Sequence, residues 1–237
     1  MALLFSIAEC ASTNDEIEKF IAKNSEEKIG VFTANQTRGR GQYGNLWENF
    51  EDENLAYSFG FKSDNVFSDV MLNFYVAVIL RNFIANFTAD FPKIKWPNDI
   101  ILNRKKVSGI LIEKRKIGNF HYFIIGIGIN VLQENFERFP KAGSLLSQTG
   151  KRFRIENVAE QLHEFLNREL FKTKTNSEIL SEFNANLFLK NEVTTFKIKD
   201  LKQNGIIQNV DENGFLHVEL EKDGLQKFFH KEIEWLY

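Results

Sequence analysis

Cysteine is almost missing from this chain of 237 residues: Cys10 stands alone. A single cysteine cannot build an internal disulfide framework, so nothing here suggests a secreted, disulfide-stapled scaffold. Histidine is scarce as well. The four present, His121, His163, His217 and His230, stand far apart without metal-ligand spacing, so no structural zinc site is expected. No apolar run approaches the roughly 18 residues that a membrane-spanning helix needs, so no membrane partner is expected. The opening residues, Met1 to Glu9, lack a basic flank, and their apolar stretch is too short for a secretory signal. Together these absences predict a cytoplasmic protein. An excess of positive charge is missing too. With 30 Lys and Arg against 32 Asp and Glu, the net charge of −2 argues against nucleic acid as the main partner, because such binding neutralises phosphates with many basic side chains.

What is present suffices for one large domain and one small one, at 43% hydrophobic and 26% charged residues. Thr13, with Glu16 three positions on and Ile17, Phe20 and Ile21 following, reads as a capped helix start, the helix covering about 15–23. Two β-prone runs, 29–34 and 55–61, flank a polar, glycine-rich loop over 35–45. Met71, Leu72, Tyr75, Val76, Ile79, Leu80, Phe83 and Ile84 recur at helical spacing, which makes 68–87 the main core helix. From 94 to 131 the chain is β-rich, with breaks at Pro97-Asn98-Asp99, Asn103-Arg104 and Gly118-Asn119, as in an antiparallel meander. A polar stretch over 132–154 precedes two helical patterns at about 156–171 and 178–188. Beyond it, short strands at 193–198, 205–210, 215–220 and 225–229 are punctuated by Asn204-Gly205, Asn213-Gly214 and Asp223-Gly224. The expected fold is α+β: a mixed or antiparallel sheet backed by helices over 1–188, then a small β-barrel over 189–237.

Three segments carry chemistry. The first is Gln36-Thr37-Arg38-Gly39-Arg40-Gly41-Gln42-Tyr43-Gly44-Asn45-Leu46-Trp47, a loop with three glycines and two arginines. Exposed amides and guanidinium groups suit a phosphate or carboxylate, although such a segment alone is equally a solvated loop. It is no P-loop, since no Gly-Lys-Ser/Thr follows. The second is Lys95-Trp96-Pro97-Asn98-Asp99, followed by Lys105-Lys106-Val107-Ser108-Gly109-Ile110-Leu111-Ile112-Glu113. Pro97 sets a corner at a strand end, where a carboxylate can hold Mg²⁺ or serve a nucleotide, and Gly109 within a β-branched strand implies a close approach to the backbone. The third, Gly126-Ile127-Gly128-Ile129-Asn130, is no dinucleotide fingerprint, because Val131 stands where the third glycine belongs; it suits a flat floor beneath a ligand.

Taken in order, these segments resemble the biotin protein ligase family. The resemblance spans nearly the whole chain: Ser12-Thr13-Asn14, the loop from Gln36 to Trp47, the Lys95 to Asp99 corner, the strand from Lys106 to Glu113 and the strand from Gly126 to Asn130. It implies a class II synthetase-like catalytic domain with an SH3-like C-terminal barrel. The implied enzyme is a biotin-[acetyl-CoA-carboxylase] ligase that makes biotinyl-AMP from biotin and ATP with Mg²⁺. It then transfers biotin to a lysine of a biotin carboxyl carrier domain, acting as a monomer or homodimer.

By the same resemblance, Ser12, Thr13, Asn14 and Gln36 hydrogen-bond the ureido head of biotin, and Gly39, Arg40, Gly41, Gln42 and Gly109 complete the biotin pocket. Lys106 meets the carboxyl oxygen and the neighbouring phosphate. Arg38, Arg40, Trp47, Lys95, Asn98, Asp99 and Asn130 serve ATP and the adenylate, with Arg40, Lys106 and Asp99 carrying the catalysis and Asp99 the metal. Many members carry arginine where this chain has Gln42, which shifts phosphate clamping onto Arg38 or Arg40. Ala142-Gly143-Ser144-Leu145 only loosely matches the family's adenine-side Ala-Thr-Ser-Leu. Some members carry an N-terminal helix-turn-helix domain; Ser12 lies so near the start that the expectation is a ligase without DNA-binding activity. The rival readings are a lipoate or octanoate ligase and a non-catalytic binding module. Lys95 to Asp99 with Lys106 to Glu113 favours biotin over the first, and the presence of Arg40, Lys106 and Asp99 disfavours the second.

Overall fold

A computed structural model describes residues 2–24, 28–48, 50–63 and 68–237. Strand β1 (Leu3–Ser6) leads into helix α1 (Thr13–Lys23), followed by β2 (Lys28–Thr33), the short pair β3 (Gly39–Arg40) and β4 (Leu46–Trp47), and β5 (Asn54–Lys62). Helix α2 (Asp69–Ile84) precedes the meander β6 (Lys93–Lys95), β7 (Asp99–Leu102), β8 (Lys105–Ile117) and β9 (Phe120–Asn130). Helices α3 (Leu145–Thr149), α4 (Ile155–Leu170) and α5 (Asn176–Ala185) follow. The chain closes with β10 (Val193–Ile198), β11 (Leu201–Val210), β12 (Leu216–Leu220), β13 (Gly224–Phe228) and β14 (Glu234–Leu236). The fold is α+β, with a seven-stranded sheet ordered β1-β2-β5-β9-β8-β7-β6 and a five-stranded antiparallel sheet ordered β13-β12-β11-β10-β14. The larger sheet is mixed, because β1 pairs parallel with β2 while its other neighbours run antiparallel.

Strand alternation sends successive side chains to opposite faces and so divides the sheet's duties. Leu55, Tyr57, Phe59 and Phe61 of β5 and Phe123, Ile125, Ile127 and Ile129 of β9 face one way, into a cluster with the apolar residues of α2 and α4. The opposite face receives α1, whose Ile17 and Ile21 pack on Ile29, Val31, Tyr122 and Ile124. Helix α2 is buried nearly all round, from Met71 to Leu80, because α4, α5 and the sheet enclose it. With the turn that follows, Asp69–Phe87 is long and apolar enough to cross a membrane by length and composition, which corrects the sequence expectation; 67% of that stretch is buried inside the protein, as the core helix it was read to be.

Several expectations change at element ends. Thr13 is not the cap of α1, its hydroxyl being engaged by Gln36 and Ser58; Ser12 holds that position and makes no side-chain cap bond. Asn204-Gly205 lies inside β11 rather than in a turn; the chain reverses at Lys199-Asp200, with Lys199 in the left-handed region at φ 53°. The polar stretch over 132–154 contains α3, capped by Ser144 with Ser147 reciprocating. Helix α5 starts from a capping box of Thr175 and Glu178 and ends at Ala185, short of the expected 188. The main apolar cluster continues without a break into the C-terminal sheet through Leu187, Phe188, Phe196, Ile207, Leu216 and Trp235. Polar seams join the two parts as well, with Trp96 Nε1 donating to the Gly214 carbonyl at 3.1 Å and the Asn184 side chain bonding the backbone of Val210.

Candidate active site

The register of the sheet assembles a site. Lys95 pairs with Asp99, Asp99 with Gly109, Gly109 with Gly128, and Gly128 with Ala56, so one row crosses the sheet on the same face as α1, over the part that the helix leaves uncovered. The next row, Leu111–Gly126–Ser58, lies beside it on the same face. A bulge in β8 shifts the register by one residue, bringing Lys106 opposite Ile101; its Nζ then sits 2.6 Å from Asp99 Oδ1. Above these rows lies a cleft of about 190 Å³.

The two glycines of β9 explain its shape. A Cβ on Gly126 would lie 2.5 Å from Asn14 Oδ1, and one on Gly128 would lie 2.3 Å from Trp47 Cε2. Glycine at these positions lets the Asn14 side chain and the Trp47 ring lie directly on the strand. Trp47 Nε1 is buried there without a hydrogen-bond partner, an uncommon cost for an indole.

One end of the cleft is neutral and polar. Thr13 donates through its backbone N–H (2.9 Å) and its hydroxyl (3.2 Å) to Gln36 Oε1. Ser58 Oγ lies 2.8 Å from Thr13 Oγ1 and 2.5 Å from Asn14 Oδ1, and Asn14 Nδ2 donates to Glu113 Oε2 at 2.6 Å. Ser12, Thr13 and Asn14 are buried, which places matched donors and acceptors out of water. Ser58 escaped the sequence reading, although it was legible as a hydroxyl in an apolar run at opposite parity to Tyr57 and Phe59.

The other end is charged. Lys106 and Asp99 form their ion pair under the edge of Trp47, whose ring centroid is 5.7 Å from the ammonium. Burial holds Lys95 below its ordinary ammonium pKa, with Lys106 and Lys141 adding to the effect and Asp99 opposing it. Asn98 is anchored structurally: one N–H of its amide donates to the Ile110 carbonyl at 2.7 Å, which leaves the second N–H and the side-chain oxygen for a ligand. Gln42 Nε2 bonds Asn73 Oδ1 at 3.1 Å, and Asn73 in turn donates to the Pro97 carbonyl, so the loop is tied to α2 and the strand corner. Gly41, Gln42 and Gly109 line the cleft with them.

Not every marked residue points inward. Arg40 lines the cleft, yet its guanidinium makes a two-pronged bond to Asp15 (2.7 and 2.8 Å) and lies 3.6 Å from Glu113. Arg115 shares Asp15 and Glu113 and also pairs with Glu18, and this network holds the Asp15 carboxyl down at about 2, the Arg40 bond being the largest cause. Arg38 and Gly39 border a separate surface hollow with Glu9 and Glu48, outside the cleft. Asn130 faces a neighbouring cavity of about 460 Å³ that shares Lys95, Asp99, Lys106 and Trp47 with the cleft, and its amide is held by the Gly143 carbonyl at 2.9 Å. His230, from the turn after β13, also lines the cleft, and no feature of its sequence neighbourhood marked it.

Comparison with known proteins adds relatives in sequence and in fold. The chain is 27% identical to the bifunctional ligase/repressor BirA of Escherichia coli over 198 residues, covering 81% of this chain and 61% of that protein. It is 27% identical over 146 residues to a biotin–[acetyl-CoA-carboxylase] ligase of Mycobacterium tuberculosis, covering 59% of this chain and 53% of that one. The chain thus spans about half to six tenths of the length of these relatives. Among solved structures, a biotin protein ligase from Aquifex aeolicus in complex with biotin and ATP superposes with a TM-score of 0.80 at 25% identity, covering 98% of both chains. A biotin protein ligase from Leishmania major in complex with biotin gives 0.64 at 20% identity over 95% of this chain, a likeness of fold. The model of the biotin/lipoate A/B protein ligase family matches residues 7–130, the span that runs from just after β1 through the glycines of β9 and so holds the cleft's sheet floor; the chain belongs to that family.

Proposed function

We propose that the chain is an ATP-dependent biotin protein ligase. One observation carries the choice of acid: the buried neutral end of the cleft, where Thr13, Asn14, Gln36 and Ser58 hold matched donors and acceptors. A ureido ring needs such partners once desolvated, and a dithiolane ring would leave them unpaired, which sites of this kind reject strongly. The charged end, Lys106 with Asp99 and Lys95, then receives the carboxylate and the nucleotide phosphates.

In the first step a biotin carboxylate oxygen attacks the α-phosphorus of ATP, the bond to the β-phosphate oxygen breaks and pyrophosphate leaves. Lys106 stabilises the carboxyl oxygen and the phosphate as charge redistributes, and Arg40 joins it after letting go of Asp15. Trp47 lies over the acyl chain, its Nε1 offered to the incoming ligand, while Asn130 and the cavity it borders take the nucleoside side. Arg38 lies too far out to be the main phosphate clamp. In the second step a carrier lysine amine attacks the acyl carbon, AMP departs with the former carboxyl oxygen, and an amide forms. That amine is protonated in water, with a pKa of about 10.4, and Asp99 is the carboxylate at hand to take its proton.

Among the described residues no three of His, Cys, Asp and Glu converge on a point, and Asp99 is a single carboxylate. This donor set fits a magnesium ion carried on nucleotide phosphates with its own waters rather than a resident ion. When bound, the ion neutralises phosphate charge.

The partner in this reading is the biotin carboxyl carrier domain of a carboxylase, and the net charge of −2 supports a protein partner over DNA. We read 1–188 as the catalytic unit and 189–237, with its five antiparallel strands, as an SH3-like barrel, the whole working in the cytoplasm. The test is direct. The chain is incubated with ATP, Mg²⁺, biotin and a carrier domain while the carrier's intact mass is followed, with lipoate in a parallel tube. One biotinyl group gained, none with lipoate, and severe slowing in Arg40→Ala are expected; an unmodified carrier with wild type would sink the ligase reading.

A further inference from the structure

The loop that bears Arg40 is fastened at its tip by the C-terminal sheet. The tip is a single helical turn, Gln42–Gly44, in which Tyr43 adopts the left-handed conformation (φ 56°), disfavoured for a residue with a side chain. Such a conformation persists when its surroundings hold it. Two neighbours in the turn between β13 and β14 do so. The His230 ring stacks on the Tyr43 ring with centroids 4.2 Å apart and planes 22° from parallel. Lys231 Nζ donates to the Tyr43 carbonyl at 2.8 Å, and Lys231 is itself left-handed at φ 71°. His230 also meets Trp96 edge-on at 5.9 Å, which fixes the ring from the catalytic side. No other described residue of the C-terminal sheet lines the cleft.

We propose that His230 and Lys231 are positioning residues: the C-terminal sheet uses them as a catch on Tyr43 that holds the arginine-bearing loop across the cleft. The catch acts by stacking and by one hydrogen bond to a backbone carbonyl, without proton transfer. Resting on the ligase reading, it also has a consequence for chemistry: a mixed anhydride formed in the cleft stays under the loop until the carrier lysine arrives, instead of escaping to water.

Two measurements on the full chain test this, one independent of activity. Amide hydrogen exchange across 39–47, recorded on the protein without substrates, should quicken on the order of 2- to 10-fold in His230→Ala and Tyr43→Ala, which is the scale set by losing one aromatic pair. In His230→Phe, which keeps a ring to stack, it should stay at the wild-type rate. During turnover, the ratio of free biotinyl-AMP to biotinylated carrier should rise by a similar factor in the two alanine variants and in Lys231→Met, with KM for biotin raised and kcat for single-turnover transfer little changed. Unchanged exchange in His230→Ala overturns the catch whether or not the chain is a ligase, whereas a wild type that makes no adenylate overturns the ligase reading alone. Loss of transfer in His230→Phe equal to that in His230→Ala, with no added release, overturns it too, because the imidazole would then be doing proton chemistry.

Discussion

At the scale of single residues, the site depends on atoms that are missing as much as on those present. Gly128 is the sharpest case, since a methyl group there would overlap the Trp47 ring at 2.3 Å. Gly128→Ala should therefore push the ring off the strand and slow adenylate formation by roughly 100-fold, the scale associated with a 1 Å misplacement at a reacting site. Its melting temperature should change little, because Trp47 belongs to the loop and not to the main core cluster. Wild-type rates in pyrophosphate exchange would show that Trp47 has no part in seating the acid. The glycine was legible in the sequence as a floor residue, but the identity of what lies on it was not. Trp47 comes from a segment 81 positions earlier in the chain (128 − 47), and no local pattern encodes that contact.

Among elements, the informative contact is between α1 and the loop strand β3. Arg40 is parked on Asp15 of α1 and flanked by Glu113 of β8, so phosphate must compete with carboxylates for the same guanidinium. Asp15→Asn should weaken the parking and tighten ATP binding a few-fold, as read by calorimetric titration; unaltered affinity would mean that Arg40 is free to leave at no cost. The stability lost should be small, since half-exposed pairs of this kind are worth about 0–1 kcal/mol. The sequence marked Arg40 through its glycine-flanked loop, yet Asp15 read only as part of a helix start. Long periodic elements such as α2 and α4 were readable because many residues repeat one signal. The two-residue strands β3 and β4 and the three-residue β14 were not, because their pairing is set by distant partners rather than by their own few residues. Asn204-Gly205 shows the converse error: a good turn dipeptide was drawn into β11 once Gly205 paired with Thr194 and Leu220.

For the molecule as a whole, the main apolar cluster runs from α2 and α4 to Trp235, and His163 of α4 is buried beside it, its Nδ1 2.8 Å from the Tyr57 hydroxyl. Burial pushes the His163 pKa below its ordinary 6.5, outweighing the opposite pull of the Ala2 carbonyl. The sign follows from proton binding: between the lowered folded value and 6.5 the unfolded chain takes up a proton that the folded chain refuses. Stability is therefore complete above 6.5 and falls as pH drops below it. Urea midpoints measured from pH 7.5 to pH 5 should decline in wild type and decline less in His163→Gln; parallel slopes would place the acid sensitivity elsewhere.

The sequence by itself determined the α+β class, the meander, the core helix and the ordered set of segments that carries the family resemblance. It could do so because periodicity, turn chemistry and short motifs are local properties. Only the tertiary structure decided that Ser58 completes the polar end, that Arg40 rests on Asp15, that Asn98 is tied to the Ile110 carbonyl, and that His230 reaches the cleft from the C-terminal sheet. Each of these is a contact between residues brought together by strand register and sheet packing, and register is fixed by the burial of the whole sheet rather than by any one stretch of chain.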